Sequence, residues 1–202
     1  MKKFICVTFT LLLLAFLEKS YAVTYNFDSL SAGPYTETTF NSLFVGVSFN
    51  NTGGDGFYVN DIGGLLPDFT QPNAISNNPY NTGGNSTIAT FSSPTNFVSV
   101  TMGDYDQDTD TLYLKAYDSS DNFIGFTTYL NPADSYAGFT MSVSANNIAR
   151  VEFYGVGGNN NSVYWDNFTF NQSNVQVPEP ATMLLLGSGL LGLWGFRRKF
   201  KK

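Results

Sequence analysis

Short runs of β-branched and aromatic residues, separated by turns rich in Asn, Gly, Asp and Pro, fill the middle of the chain. In the runs 97–102, 111–117 and 150–154, apolar and polar residues alternate with a period of two. A strand with this pattern buries one face and leaves the other in water, as in antiparallel sheets that pack on each other. No convincing helical period occurs between residues 23 and 176, so the pattern predicts an all-β domain.

Ten candidate strands follow from these runs, and their spacing favours an antiparallel β-sandwich or jelly roll. They cover residues 23–27, 43–49, 57–59, 87–91, 97–102, 111–117, 123–129, 139–143, 148–154 and 163–170. The segment 53–85 is looser because it contains three Gly-Gly pairs and three prolines. We predict long loops there, around one or two edge strands.

The first residues have the order of a secretory signal peptide. A charged Met1-Lys2-Lys3 precedes an apolar run over 4–17, and Ser20-Tyr21-Ala22 fits the small-x-small rule for cleavage. Residues 1–22 are therefore predicted to be a leader that is cut after Ala22. A retained signal anchor is the alternative.

The last residues have the order of a membrane anchor. An apolar run over 181–196 would form about 24 Å of helix, and the basic residues Arg197, Arg198 and Lys199 follow it. The positive-inside rule keeps this cluster in the cytoplasm. We predict an exported domain, a linker, a transmembrane helix in membrane lipid and a basic cytoplasmic tail, at 23–172, 173–180, 181–196 and 197–202. An ordinary single-pass anchor or a buried helix of a soluble domain are the alternatives.

A resemblance to a known signal rests on three parts in order: Val177-Pro178-Glu179-Pro180, the Gly-rich apolar run and the basic end. Together, residues 177–202 resemble the PEP-CTERM sorting signal of Gram-negative bacteria, also called the ice-binding protein C-terminal domain. The resemblance implies recognition by an exosortase, a membrane-embedded cysteine protease, with cleavage or transpeptidation near the Pro-Glu-Pro sequence. It also implies anchoring in the inner membrane before processing, and then a place in the cell envelope, at the surface or in the extracellular matrix.

The charge of the segment between the two signals limits its partners. Residues 23–176 contain 14 acidic and two basic residues, a net charge of −12. Such a charge argues against nucleic acid and anionic membrane surfaces as partners. The chain has no histidine, and its one cysteine, Cys6, lies in the predicted leader. Histidine-dependent and thiol-dependent catalysis and zinc sites with His or Cys ligands are excluded, and carboxylate chemistry such as a glycosidase pair remains.

The sharpest acidic feature is a stretch in which every second residue is an aspartate, after a predicted strand: Asp104, Asp106, Asp108 and Asp110. Calcium prefers several hard oxygen ligands, which such a loop can supply. The spacing of Gly and Glu required by an EF-hand is absent. The stretch is either a structural calcium site or an exposed acidic turn.

A second resemblance covers the domain itself. Tyr25-Asn26-Phe27-Asp28 and the segment 165–170 look like the first and last strands of exported domains in PEP-CTERM proteins, which are similar in outline to carbohydrate-binding-module jelly rolls. The resemblance implies that the terminal strands pair. It further implies that Asp28 and Asp166, assisted by Asn167, share a structural calcium ion. Hydrogen bonds from these side chains to neighbouring backbone are the alternative.

Aromatic side chains, 16% of the chain, suggest where a glycan could bind. Trp165 or the loop tyrosines could stack on sugar rings, with Tyr58, Tyr80, Tyr105 and Tyr136 as candidates. The leading hypothesis is a non-enzymatic surface or matrix protein that an exosortase sorts and that associates with exopolysaccharide. A surface spacer without a specific ligand and a carboxylate-dependent glycan-active enzyme are the alternatives.

Overall fold

Strands dominate the part of the chain that the computed structural model describes, which is residues 20–54, 56–64, 68–77, 85–103, 109–132, 137–157 and 163–173. In chain order the elements there are β1 (Ser20–Tyr25), β2 (Gly33–Tyr35), α1 (Glu37–Asn41), β3 (Val47–Asn51), β4 (Phe57–Asp61), β5 (Asn73–Asn77), β6 (Thr87–Gly103), β7 (Asp110–Tyr117), β8 (Phe123–Asn131), β9 (Gly138–Val156) and β10 (Tyr164–Ser173). The alternation in 111–117 is confirmed, because Leu112, Leu114 and Ala116 are fully buried.

Two long strands, β6 and β9, create the layers of the fold. The strand order is β2-β4-β5-β10-β6-β9-β7-β8, with β1 beside β10 and β3 beside β6. The antiparallel register of β6 against β9 is interrupted between Thr90 and Phe97. β6 pairs with β3 before the interruption and with β10 after it. The result is the predicted antiparallel sandwich: β3, β7 and β8 form one layer, β1, β2, β4, β5 and β10 form the other, and β6 and β9 contribute to both.

Aromatic side chains fill the space between the layers. Trp165 of β10 is buried, and the rings of Phe49 and Phe153 reach it from the opposite layer, each with a centroid distance of 5.2 Å. Phe27, just after β1, stands edge-on to Trp165 at 5.1 Å. Because each buried ring contributes about 1.5–3 kcal/mol of transfer free energy, this cluster is a major source of cohesion between the layers.

The prediction that the domain has no helix is wrong at α1. The Thr36 hydroxyl caps this helix by accepting a hydrogen bond from the Thr39 backbone N–H at 3.2 Å. Glu37 lies in the first turn, where a negative charge is favourable, and Phe40 is fully buried. Five residues contain too few turns to produce a readable period, so the sequence pattern missed the helix.

The prediction of loops and edge strands over 53–85 needs one correction. The strands of this segment are internal: β4 pairs with β2 and β5, and β5 pairs with β4 and β10. The polar Asn73 and Ser76 of β5 are buried, and the Asn73 amide donates to the carbonyl of Leu30 at 2.8 Å. A strand with buried polar residues shows no alternation, which explains why the pattern did not reveal it.

The predicted pairing of the terminal strands is confirmed, since β1 lies beside β10. Thr24 and Thr169 share a hydrogen bond of 2.8 Å between their hydroxyls. β1 begins at Ser20 and therefore includes the bond after Ala22 at which we predict cleavage. Among the described residues, no helix is long and apolar enough to cross a membrane. The leader up to residue 19, the sorting sequence, the predicted anchor and its basic stop lie outside those residues.

Candidate functional site

Asp166 is buried by an irregularity in β10. The register of β10 against β6 shifts between Asp166 and Thr169. Asn167 adopts a φ of 48° inside this bulge, a left-handed conformation that asparagine tolerates better than most residues. The bulge re-aims the neighbouring side chains, so Phe168 enters the core while Asp166 is buried beside Thr70.

Only one of the two oxygens of the Asp166 carboxylate accepts hydrogen bonds from the loop. Its Oδ2 accepts hydrogen bonds from the Thr70 backbone N–H at 2.9 Å and from the Thr70 hydroxyl at 2.7 Å. Its Oδ1 is buried and accepts no hydrogen bond. Burial raises the pKa of Asp166, although the Thr70 hydrogen bonds and the backbone N–H of Asn167 oppose this rise. A buried carboxylate oxygen without a donor is a position where a cation would compensate the charge.

The other two residues of the predicted metal site lie around the same loop. Asp28 accepts a hydrogen bond of 3.3 Å from the Asn73 backbone N–H, and its charge contributes to the raised pKa of Asp166. The Asn167 side-chain oxygen accepts a hydrogen bond of 3.3 Å from the Thr70 hydroxyl. The structure thus brings Asp166 and Asn167 to Thr70 in the loop 68–72, and Asp28 to Asn73, which follows that loop. Within the described part of the chain, no group of three or more acidic, histidine or cysteine side chains could hold a metal.

Thr70 is a site residue that the sequence did not reveal, because nothing in its loop distinguishes it from other turn residues. Its position depends on Phe69, which packs over two glycines. A Cβ atom added at Gly138 would lie 2.4 Å from Phe69 Cε2, and one added at Gly103 would lie 3.0 Å from it. The glycines therefore provide the space that Phe69 occupies, and Phe69 in turn fixes Thr70 beside Asp166.

The acidic stretch is only partly described. Asp104, Asp106 and Asp108 lie outside the described residues. Asp110 is the first residue of β7, is buried, and pairs with Asn131 of β8. A Cβ added at Gly157 would lie 1.5 Å from Asp110 Oδ1, so this side chain packs against the end of β9. Asp110 is thus a strand residue, and calcium binding by the stretch stays a prediction.

A second candidate site is the solvent-facing side of the β7–β8–β9 layer, which we call the outer face. Tyr113, Lys115 and Tyr117 alternate with the buried residues of β7 and point to this side. Neighbouring strands place aromatic and charged residues beside them: Phe123 and Phe126 of β8, and Arg150, Glu152 and Tyr154 of β9. The outer face therefore combines exposed rings with the two basic residues of segment 23–176.

The two phenylalanines of the outer face are its most exposed rings. Phe123 and Phe126 are 55% and 58% exposed, and their ring centroids lie 5.9 Å apart. Tyr113 and Tyr154, in contrast, stack on each other at 5.0 Å, so part of their ring surface is already covered. The faces that remain available to an apolar partner are mainly those of Phe123 and Phe126.

Hydrogen bonds hold the charged residues of the outer face in place. Lys115 Nζ donates to the Tyr154 hydroxyl at 2.7 Å, and this bond raises the pKa of Lys115. The Tyr117 hydroxyl donates to Glu152 at 3.3 Å, while burial and the charge of Glu152 raise the pKa of Tyr117. At neutral pH Lys115 is therefore charged and Tyr117 is a neutral donor.

The predicted glycan-stacking residues do not form this surface. Trp165 is 2% exposed in the core, so the expectation that it could face a ligand is wrong. Tyr58 lies half-buried on β4, and Tyr80, Tyr105 and Tyr136 lie outside the described residues. Phe123 and Phe126 are three residues apart, so a period of two would place them on opposite faces of β8. The shift in register between Ala116 and Tyr117 brings them to one face, and the sequence pattern gave no signal for it.

Several solved structures are similar to this chain at low sequence identity. Among solved structures, the chain is similar to a DUF4465 family protein from Bacteroides caccae, with 13% identity and a TM-score of 0.42 over 75% of this chain and 86% of the other. It is also similar to a mutant of CBM29-2, a family 29 carbohydrate binding module, with 11% identity and a TM-score of 0.40 over 80% of this chain and 99% of the module. An arabinose-bound MgGH51 α-L-arabinofuranosidase matches with 11% identity and a TM-score of 0.43, over 72% of this chain and 25% of the enzyme. At such TM-scores these likenesses carry no argument about function.

The clearest comparison concerns the end of the chain. A search of functionally curated proteins gives no match. Residues 176–199, however, match the PEP-CTERM protein-sorting motif. The resemblance stated from the sequence is thereby confirmed: the chain carries a PEP-CTERM sorting motif, which implies export and a membrane-anchored tail before processing.

Proposed function

We propose that this protein is a non-enzymatic, exported surface protein whose β-sandwich binds extracellular polysaccharide through the outer face. The observation that carries the proposal is the pair of exposed rings, Phe123 and Phe126, beside the Lys115 ammonium, which gives one of its three N–H donors to Tyr154. An exposed apolar patch bordered by polar groups marks an interaction site. The C–H faces of a sugar match an aromatic ring, and its hydroxyls match donors at the border of the patch.

The charge of segment 23–176 supports a polysaccharide over other polymers and over a second copy of the chain. With a net charge of −12, this segment repels nucleic acid and also repels an identical copy. A sugar polymer supplies flat apolar surfaces without requiring opposite charge. The outer face is therefore suited to a glycan.

The sorting motif supports the proposed location. We infer that an exosortase recognises Val177-Pro178-Glu179-Pro180 while residues 181–196 remain in the membrane lipid, stopped by the basic residues from Arg197 onward. Processing would then leave the sandwich in the envelope, at the surface or in the matrix of a Gram-negative bacterium. The polysaccharide would be encountered there.

A structural calcium ion is a further part of the proposal. Asp166, Asp28 and Asn167 would hold the ion, because the buried Asp166 Oδ1 lacks a hydrogen-bond donor and both partners lie around the same loop. All three offer the hard oxygen atoms that calcium prefers. The ion would neutralise buried charge and stiffen the loop 68–72.

The binding proposal is tested with the double substitution of Phe123→Ala and Phe126→Ala. The full chain, held in a polyoxyethylene detergent without sugar groups, is run through gels that contain polysaccharides. We expect at least a tenfold loss of affinity for the polysaccharide that retards the native chain, as for residues at the centre of an interface. Phe139→Ala is the matched control, since Phe139 is also exposed but lies off the outer face, stacked on Tyr129.

Three results would contradict the proposal. If no polysaccharide in a broad panel retards the native chain, a spacer without a ligand explains the domain better. If the double variant is folded by circular dichroism and still binds as tightly as the control, the outer face is not the binding surface. Turnover of any polysaccharide would contradict the non-enzymatic part.

A further inference from the structure

The basic residues of the outer face are already engaged by the protein. Arg150 Nε donates to Asp121 Oδ1 at 2.8 Å, and the Arg150 guanidinium carbon lies 3.8 Å from the centre of the Tyr117 ring. Lys115 lies directly opposite Glu152 in the sheet, and its Nζ is 5.0 Å from the centre of the Tyr154 ring. Both cations thus have a carboxylate as a direct partner or neighbour.

The charges of the outer face do not provide a net attraction for an anion. Lys115 and Arg150 are balanced by Glu152 and Asp121. Beyond them, the rest of segment 23–176 is strongly acidic. Its field extends about 8 Å into solution at physiological salt before screening reduces it. This field would repel a polymer with a carboxylate or sulfate on each repeat. The two cations of the outer face would not compensate, because each already has a carboxylate beside it.

The surface offers instead apolar rings and the N–H donors of a cation that lies opposite a carboxylate in the sheet. An ammonium group has three donors, of which Lys115 gives one to the Tyr154 hydroxyl. Glu152 is held as an acceptor by Ser86 at 2.7 Å and by Tyr117. Together with Phe123 and Phe126, these groups match a ligand that is rich in hydroxyls and free of charge.

We propose that the ligand of the outer face is an uncharged polysaccharide and that Lys115 donates a hydrogen bond to one of its hydroxyl or ring oxygens. This inference rests on the proposed function, which it narrows to one chemical class of polymer. Lys115 then acts as a specificity residue, since its donor directions are fixed by the bond to Tyr154. Attraction of acidic polymers is not its role.

The test uses polymers with the same backbone in neutral and charged form. Cellulose, dextran and mannan backbones are each used in a neutral form and in a carboxymethylated form. The neutral form is hydroxyethylated where the backbone alone is insoluble. They are compared for binding to the full chain in polyoxyethylene detergent. We expect the carboxymethyl form of the preferred backbone to bind at least fivefold more weakly at low salt, and the difference to shrink as salt screens the repulsion.

A second arm of the test concerns Lys115. Lys115→Met keeps the apolar stem but removes the donors, so we expect about a fivefold loss of affinity for the neutral polymer, as for one hydrogen bond. Asp61→Asn is the control for a change of one charge at an exposed position of β4, and it should keep the native affinity within about twofold.

The outcomes separate this inference from the function on which it rests. If a carboxymethylated polymer binds more tightly than its neutral form at low salt, or if Lys115→Met leaves neutral binding unchanged, the inference is overturned while polysaccharide binding stands. If no polymer of either kind binds, the proposed function fails, and this inference fails with it.

Discussion

Asp166 concentrates most of the unusual chemistry of this domain in a single side chain. It is buried, it has an oxygen without a donor, and its pKa is raised by burial. Between the ordinary pKa of about 3.9 and this raised value, the folded chain binds more protons than the unfolded chain. Without a bound cation, Asp166 therefore lowers the free energy of unfolding as the pH rises through that window.

Replacing Asp166 by Asn should remove this pH dependence and the response to calcium together. In the presence of a chelator, we expect the free energy of unfolding of Asp166→Asn to rise relative to that of the native chain as the pH increases above about 3.9. With calcium, the native chain should melt at a higher temperature and the variant should not. Denaturant titrations and thermal melts measure both quantities.

The control for this experiment is Asp121→Asn, in the exposed turn between β7 and β8. It should keep the native response to calcium, because it lies apart from the loop 68–72. A native chain whose melting temperature is unchanged from micromolar to millimolar calcium would contradict the metal site. If Asp166→Asn has a lower free energy of unfolding than the native chain in the presence of a chelator at neutral pH, the buried charge of Asp166 does not destabilise the fold.

At the scale of elements, alternation predicted the faces of single strands well but not the continuity of long ones. β6 and β9 were each predicted as two strands, because Pro94 and the Asn146-Asn147 pair are typical of turns. In the structure these residues lie inside the strands, near the interruption in register, and Asn147 adopts a φ of 61°. A local sequence pattern cannot distinguish a turn that ends a strand from a bend that carries it into the other layer.

The binding surfaces show the same division between local and long-range information. Asp28, Asp166 and Asn167 could be proposed together because the terminal strands were expected to pair. Thr70 and Phe69 could not, since their role depends on glycines in two distant strands. The outer face also required the register of β7 against β8 and β9, which a single sequence does not reveal.

The packing of Phe69 over Gly138 gives a prediction about the loop 68–72. Gly138→Ala should destabilise the domain by about 1–3 kcal/mol, because the added Cβ would lie 2.4 Å from Phe69 Cε2. Phe69→Ala removes that atom. In a chain that already carries Phe69→Ala, Gly138→Ala should therefore lower the free energy of unfolding by at least about 1 kcal/mol less than it does in the native chain. Urea denaturation of the two single variants and the double variant completes the cycle.

The matched control is Gly125→Ala, at a glycine of β8 where an added Cβ would lie no closer than 3.1 Å from Val143. Its effect should be the same with and without Phe69. Additive effects of Gly138→Ala and Phe69→Ala would mean that the loop is not held by this contact. The location of Thr70 beside Asp166 would then need another explanation.

For the whole molecule, the sorting motif and the sandwich have separate tasks, which deletion can distinguish. Removing residues 177–202 should release the sandwich into the medium, because the predicted anchor at 181–196 is lost with the motif. Polysaccharide binding should be unchanged, since the outer face lies on β7, β8 and β9. Fractionation of cells and medium measures the release, and gel retardation measures the binding.

A substitution of Pro178 and Pro180 by Ala is the matched control for this deletion. It alters the sorting sequence but keeps the apolar run and the basic end, so the chain should stay in the membrane without being processed. A truncated protein that still fractionates with the envelope would contradict the anchor. Material found wholly in the cytosol would contradict export itself.

The position of β10 has a mechanical consequence. This strand lies between β5 and β6 and ends at Ser173, three residues before the matched motif begins. If the protein is tethered there while polymer pulls on the opposite layer, the force enters along an internal strand. The hydrogen bonds on both sides of that strand run across the direction of pull and share the load in shear, instead of opening one after another from an edge. A tether attached in this way would resist drag on the cell surface better than one attached through β8.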